Sequence, residues 1–442
     1  MEEPVPRLAG DLLSLGRNER TGRDLCGFAL LNRVPGGTFA VQQAGAPMTS
    51  ISHSATTAEV QAAPKAKARN FALDRARTFL TLVVLLHHSV IPYTYFGHTD
   101  PKDFVGFDMI VLATDSFFMA MFFFLSGLFV WPGLGRKSPA VFLRERLLRL
   151  GLPFAIAAVT VIPIAYYALA LQGHQETTFA GFWWKMVTVG PWPSGPLWFV
   201  WVLLVFDLSA SLLYRVSATL LAPINRLSLR GHDRPADFFL VLLIVTAILY
   251  VPARVYFGPN RWFDFFGPFA VQASRILLYA AYFYIGAGIG AANFERGVLA
   301  ADGQLAKSGW GWVGLTLIPY ALLWGLIYIK REILGNPPVQ PDWYEASYGL
   351  FFAAFSAAIL FAILAYFLRF KQSGWSILDP MQPAAYGMFL VHYPIALWLE
   401  YWLFDFDLSA IVKAAIVFVL TVILSWGATE ALRRIPGANR VL

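Results

Sequence analysis

Cysteine and charge are what this 442-residue chain has least of. The single cysteine, Cys26, excludes an intrachain disulfide and a cysteine-based metal site. Charged residues make up 14% of the chain, against about 25% in an average soluble domain, which excludes a disordered chain and an ordinary cytosolic enzyme. The phosphate loop G-x-x-x-x-G-K-[ST], the zinc motif H-E-x-x-H, the dinucleotide fingerprint and the serine elbow G-x-S-x-G are all missing. No metal site, no permanently bound cofactor and no serine hydrolase chemistry are therefore expected. A positively charged start followed by an apolar core of about 7 to 15 residues is also missing, so a cleavable signal peptide is not expected.

What is present is apolar. Hydrophobic residues form 57% of the chain and the mean hydropathy is +0.57, which points to an all-α, polytopic membrane protein. The formal charge of +7 would suggest nucleic acid in a soluble protein. Here the basic residues sit in short connections between apolar runs, so they read as topology signals and as contacts for membrane lipids or an anionic ligand, not for nucleic acid.

Residues 1–68 hold no run long enough to span and are expected to form a disordered cytoplasmic extension; residues 69–442 form the membrane domain. Ten apolar segments follow, at roughly 77–96, 105–130, 149–171, 196–214, 236–252, 269–291, 309–329, 348–368, 377–399 and 409–430. Lys65, Lys67, Arg69 and Arg75 precede the first. Arg136, Lys137, Arg144 and Arg146 follow the second, with Arg149 at the next helix mouth. Arg215, Arg226, Arg230 and Arg234 follow the fourth, Arg296 and Lys307 the sixth, Arg369 and Lys371 the eighth, and Arg433, Arg434 and Arg440 the last. The alternate connections hold Lys102, Lys185, Arg254 with Arg261, Lys330 with Arg331, and none. The alternation predicts both termini in the cytoplasm. Residues 172–195, rich in aromatics, proline and glycine, are expected along the outer interface, as anchors or as part of the wall of an acceptor site.

Ionisable groups within the spans are few, and each is a functional hypothesis. Arg77 and His88 are eleven residues apart, about 16 Å along a helix and some 20° from full turns. They are predicted to share one face, with Arg77 at the mouth and His88 about halfway through a hydrocarbon core about 30 Å thick. His88 is either a satisfied core residue or a base that removes a proton from an attacking hydroxyl. His87, about 100° away, has a packing or orienting role. Asp74, one turn before Arg77, is placed to hold its guanidinium. Asp115 either orients a histidine, as the acid of a catalytic pair does, or makes a structural pair. His392 lies in an irregular helix with Gly387, Pro383 and Pro394, of the kind that lines cavities. Arg144, Arg146 and Arg149 are topology signals or a landing site for phosphates. Asp207, Arg275 and Glu430 are expected to pair between helices.

The ordered set Asp74-x-x-Arg77-x10-His88, Phe122-Phe-Phe-Leu-Ser-Gly127, Phe142-Leu-Arg-Glu-Arg-Leu-Leu-Arg-Leu-Gly-Leu-Pro153, Gly195-Pro-Leu-Trp-Phe199 and Tyr386-Gly-Met-Phe-Leu-Val-His392 resembles the bacterial membrane-bound acyltransferase family 3 over about residues 70–432. Within it the chain is most similar to the glucan biosynthesis protein C group. The resemblance implies an inner-membrane enzyme that moves an acyl group, succinyl in that group, from cytoplasmic acyl-CoA to a hydroxyl of a periplasmic glucan. Acetyl transfer to lipopolysaccharide, exopolysaccharide or another glycan is the alternative. It assigns catalysis to His88, and Arg77 to the same helix. Acyl-CoA, succinyl or acetyl, is then a donor substrate, and its phosphates are expected at Arg77, Arg144, Arg146 and Arg149, with Ser126 of the Phe-Phe-x-x-Ser-Gly segment nearby. Oxyanion donors under this reading are His392, Ser126 or a backbone N–H, and a succinyl carboxylate would favour Arg275. Pro196 stands where many members carry a histidine, so the acceptor site is expected to differ. Glucan-synthesis proteins are expected partners. Outside this class, a glycan transporter or flippase, or a structural partner of a glucan synthase, would share the composition; no duplicated pattern of interrupted helices favours transport.

Overall fold

The computed structural model describes residues 71–291, 296–370 and 374–441. Cys26, Lys65, Lys67, Arg69, Lys371 and the expected N-terminal extension lie outside the described residues.

Apolar runs bounded by proline, glycine and charge form helices at each expected span. They are α1 (Phe71–Val90), α2 (Val105–Gly127), α3 (Pro139–Gln172), α4 (Trp198–Val216) and α5 (Pro235–Phe257), then α6 (Ile276–Ala291), α7 (Gly309–Tyr328), α8 (Asp342–Phe370), α9 (Ala385–Leu403) and α10 (Ala410–Arg433). Among the described residues, seven segments are long and apolar enough to cross a membrane: Val105–Arg136, α3, Gly195–Val216, α5, Gly309–Ile333, α8 and α10. The other three expected spans are interior helices set apart by polarity or length. α1 carries Asp74, Arg75, Arg77, His87 and His88. α6 has 16 residues, short of the about 20 a span needs. α9 carries His392, Pro394 and Glu400.

The outer helices show a single buried stripe. α7 buries Trp312, Thr316, Pro319, Leu323 and Leu326, a spacing of alternating fours and threes that lays one face on α8 and turns the rest outward. Deeper in the bundle, small residues set the spacing. A Cβ on Gly127 would lie 2.1 Å from the Phe283 carbonyl oxygen, one on Gly286 2.2 Å from that of Phe124, and one on Gly290 2.0 Å from that of Leu128. The α2 and α6 backbones therefore meet directly, and α1 lies beside α2, α9 and α10.

α3 is irregular. It widens into a π-helical turn at Leu147–Gly151 and breaks at Thr160, three residues before Pro163, where φ of −119° and ψ of −65° are stretched from the regular helical values of about −63° and −42°. The interruption exposes carbonyls, and the aromatic connection supplies donors for them. Trp183 Nε1 donates to the Val159 carbonyl at 2.8 Å and Trp192 Nε1 to that of Ala158 at 3.0 Å, while Trp398 of α9 donates to Ile164 at 3.0 Å. Within that connection Phe179–Thr188 is a short helix whose Trp184 is exposed, whereas Trp183 and Trp192 complete α3. One feature departs from all-α: strands β1 (Trp262–Asp264) and β2 (Ala270–Gln272) pair antiparallel, with Phe263 opposite Val271.

Candidate active site

α1 ends at Val90, two residues beyond His88, because Pro92 starts a 3-10 turn over Ile91–Tyr93. His88 therefore lies nearer the end of its helix than the expected span to 96 placed it. Its ring faces α9, with centroids 5.2 Å from His392 and 5.1 Å from Tyr393. It is half-buried and makes no hydrogen bond among the described residues, which removes the satisfied-core reading.

The neighbours of His88 have defined tautomers. His392 is fully buried, and its Nδ1 lies 2.7 Å from the Phe389 carbonyl oxygen. A carbonyl only accepts, so Nδ1 carries the proton and Nε2 presents a lone pair. That Nε2 is buried and has no partner. A neutral His392 is thus an acceptor, and the expected role as oxyanion donor does not fit this tautomer. His87 is fixed by the same logic: Thr114 Oγ1 donates to the Ile110 carbonyl at 2.8 Å, so at 2.8 Å it accepts from His87 Nδ1. With its ring 5.1 Å from Phe118, His87 packs and braces α1 against α2, the orienting role expected of it.

Arg77 marks the opposite end of the site. It donates to the Leu125 carbonyl at 3.1 Å, lies 3.7 Å from Asp74 and stacks over Phe129 at 4.3 Å. Because α1 and α2 run antiparallel, Arg77 is level with Leu125 and His87 with Thr114. Ser126 therefore belongs to the Arg77 end, about 16 Å from His88. That separation excludes it as an oxyanion donor and leaves it beside the expected donor entry. Between the two ends stands an aromatic wall from three helices, Phe122 and Phe123 of α2, Phe199 of α4 and Phe389 of α9, with ring centroids 4.7 to 6.2 Å apart.

The arginines of α3 divide. Arg144 and Arg149 are exposed, and the Arg149 carbonyl accepts from Tyr386 of α9 at 2.9 Å, which ties the basic turn to the His392 helix. Arg146 is turned inward to the buried Asp207 at 3.3 Å, and its charge acts on Arg77.

Asp115 meets no histidine. Arg275, in the 3-10 turn that leads into α6, grips it with two parallel bonds, Nη1 to Oδ1 at 2.8 Å and Nη2 to Oδ2 at 2.6 Å, and stacks on Phe352. The structural pairing is thus the one with geometry, and Arg275 is not free to receive a succinyl carboxylate through its terminal nitrogens. Asp207 and Arg275 pair between helices as expected, whereas Glu430 pairs at 3.1 Å within its own helix, with Arg433.

Sequence reasoning passed over several buried groups. Arg75, counted as a topology signal, is 2% exposed and bonds Asp379 at 2.6 and 2.7 Å. Arg254, counted in a connection, lies inside α5 and pairs with Glu345 of α8. Lys413, in the first turn of the apolar α10, reaches the buried Asp100 at 2.9 Å. Glu400 is buried with Oε1 unpartnered, as is the Tyr93 hydroxyl. A charge inside an apolar run was the available signal for Lys413 and Glu400.

The arrangement is that of a multi-pass membrane protein with a histidine held against a second histidine inside the bundle. The chain belongs to the acyltransferase family whose model, described as an acyltransferase domain, matches residues 70–430. The protein is therefore an acyltransferase. No curated protein and no solved structure matches it.

Proposed function

We propose that the protein moves an acyl group from cytoplasmic acyl-CoA across the bacterial inner membrane to a hydroxyl of a periplasmic glycan, with both termini cytoplasmic. The observation that carries this reading is the His88–His392 pair at one end of an aromatic-walled interior whose other end is Arg77. The nucleotide of the donor is too polar to enter, so its phosphates rest at Arg77, Arg144 and Arg149, where guanidinium forks suit them. The slender pantetheine arm passes the phenylalanines and brings the thioester towards His88.

His88 takes the proton of the acceptor hydroxyl as its oxygen forms a bond to the thioester carbon. The tetrahedral oxyanion is met by a backbone N–H, the remaining donor among those considered. Collapse breaks the C–S bond, and His88 returns the proton to the departing sulfur. His392 positions His88 by packing against its ring, 5.2 Å between centroids, and its Nε2 lone pair, unpartnered at rest, takes the His88 ring N–H as the acceptor enters, so that the opposite nitrogen of His88 faces the hydroxyl. Asp115 and Ser126 take no proton in this scheme.

Succinyl transfer to a periplasmic glucan is the form the resemblance favours. Acetyl transfer gains from one observation, the engagement of Arg275 by Asp115, which leaves no free cation for a second carboxylate there. The test offers purified protein in nanodiscs succinyl-CoA and acetyl-CoA separately, each with a cyclic glucan, and reads product mass and free CoA. Wild type is expected to add acyl mass, and His88→Ala to lose about 10²–10⁴ of the rate. Undiminished transfer by His88→Ala would remove His88 as base; no CoA released with either donor by folded protein would overturn the acyl-CoA reading.

A further inference from the structure

Between α5 and α6 runs an apolar groove of about 320 Å³, bounded by Phe238, Val241, Val245 and Leu249 on α5, and by Leu277 and Ala281 on α6. Its rim is open to the outside of the bundle, since Val241 and Leu277 are 40% and 47% exposed. From Phe238 to Leu249 is eleven residues, about 16 Å of helix, the depth of one leaflet of a hydrocarbon core about 30 Å thick. The one polar group on the wall is closed off, because the Tyr284 hydroxyl is bonded to Ser209 at 2.6 Å.

The mouth is charged. Ala222–Arg230 is a short helix with Pro223 in its first turn, and its Ile224 and Leu227 close the groove at the end where α5 begins. Ile224 fits there because position 288 of α6 is glycine, whose Cβ would lie 2.5 Å from it. Arg226 and Arg230 are one turn apart on the flank of that helix, both exposed, and neither makes an ion pair or side-chain hydrogen bond among the described residues. Asn225, whose Oδ1 is buried without a partner, lies on the other flank of the same helix and away from the arginines.

We propose that this groove holds one acyl chain of an anionic glycerophospholipid of the cytoplasmic leaflet, with the phosphate between Arg226 and Arg230. A leaflet-deep apolar slot that ends at two unpaired guanidiniums matches such a lipid in length, polarity and charge. Basic mouths between spans on the cytoplasmic side bind anionic headgroups in this way.

Native mass spectrometry of the full chain, released from detergent with phosphatidylglycerol or phosphatidylcholine of identical chains, tests the assignment. Wild type is expected to retain one phosphatidylglycerol in preference to phosphatidylcholine, and each of Arg226→Gln and Arg230→Gln to weaken that retention about fivefold. These arginines are exposed, so their loss does not threaten folding. Ala280→Leu, which adds bulk to the α6 wall, is expected to reduce retention of both lipids. Equal retention of the two lipids by wild type, or retention unchanged in the arginine variants, would overturn the proposal. So would retention unchanged in Ala280→Leu together with displacement by the chain-free glycerophosphoglycerol headgroup, which would show that the chain lies elsewhere.

Discussion

His392 shows how much one hydrogen bond decides. Its proton is committed to Phe389, so replacing it with leucine keeps bulk but removes the free imidazole lone pair proposed to take the His88 N–H. His392→Leu is expected to lower kcat about tenfold to a hundredfold with KM little changed, less than the about 10²–10⁴ supplied by a positioned base. Steady-state kinetics on the glycan acceptor reads the difference, and a KM rise with kcat intact would remove the positioning role. Arg254 and Glu345 make the opposite case, a pair with no part in the chemistry and both ends buried. Arg254→Met strands a carboxylate and is expected to cost about 3–5 kcal/mol, while Arg254→Met with Glu345→Leu recovers most of it; thermal unfolding in detergent compares them. Lys102 and Asp407 mark the other limit. Their hydrogen bond holds the Asp407 carboxyl below its usual range. Its contribution is therefore present above the unfolded carboxylate pKa and fades as pH falls through the lowered one. Both groups are in water, so Lys102→Ala should leave the melting temperature where it was.

Elements were legible in the sequence where hydropathy alone decides, and illegible where two chains must meet. All ten helices came from runs of apolar residues, seven of them, among the described residues, long and apolar enough to cross a membrane, and the arginine-to-histidine spacing gave α1 its polar face. Breaks were different. Pro163 marks α3 as weakened, because it has no N–H for the Val159 carbonyl, but nothing within residues 149–171 says where the freed carbonyls find donors: these are Trp183 and Trp192, expected only along an interface, and Trp398 of another helix. The pairing of Asp115 was equally hidden: its partner is 160 residues away, and from one helix alone a histidine was as good a candidate as an arginine. Glycines in α2 and α6 looked ordinary in composition yet fix a backbone contact. Gly286→Leu is expected to abolish folded protein, because its Cβ already falls 2.2 Å from the Phe124 carbonyl oxygen. Gly325→Ala, with nothing within 4 Å, should be neutral or stabilise by about 0.5–1 kcal/mol. Size-exclusion profiles of the two variants decide, and a monodisperse Gly286→Leu would contradict the contact.

At the scale of the whole molecule, orientation is the largest proposal and the lone cysteine makes it accessible. With Cys26→Ser as background, single cysteines at Glu176 and Asp405, both exposed, are expected to react with an impermeant maleimide in intact spheroplasts. Cysteines at Ser138 and Arg434, exposed at the other side, should react only after lysis. The reverse pattern would invert the enzyme and place its donor outside. The bundle also has a history in time. Arg275 is made 160 residues after Asp115, which at about 5–20 residues per second is a delay of roughly 8 to 32 s. For that interval α2 carries a carboxylate at its midpoint whose partner Arg275 is not yet synthesised. It must therefore wait beside the insertion machinery, or in the company of water, until that arginine arrives.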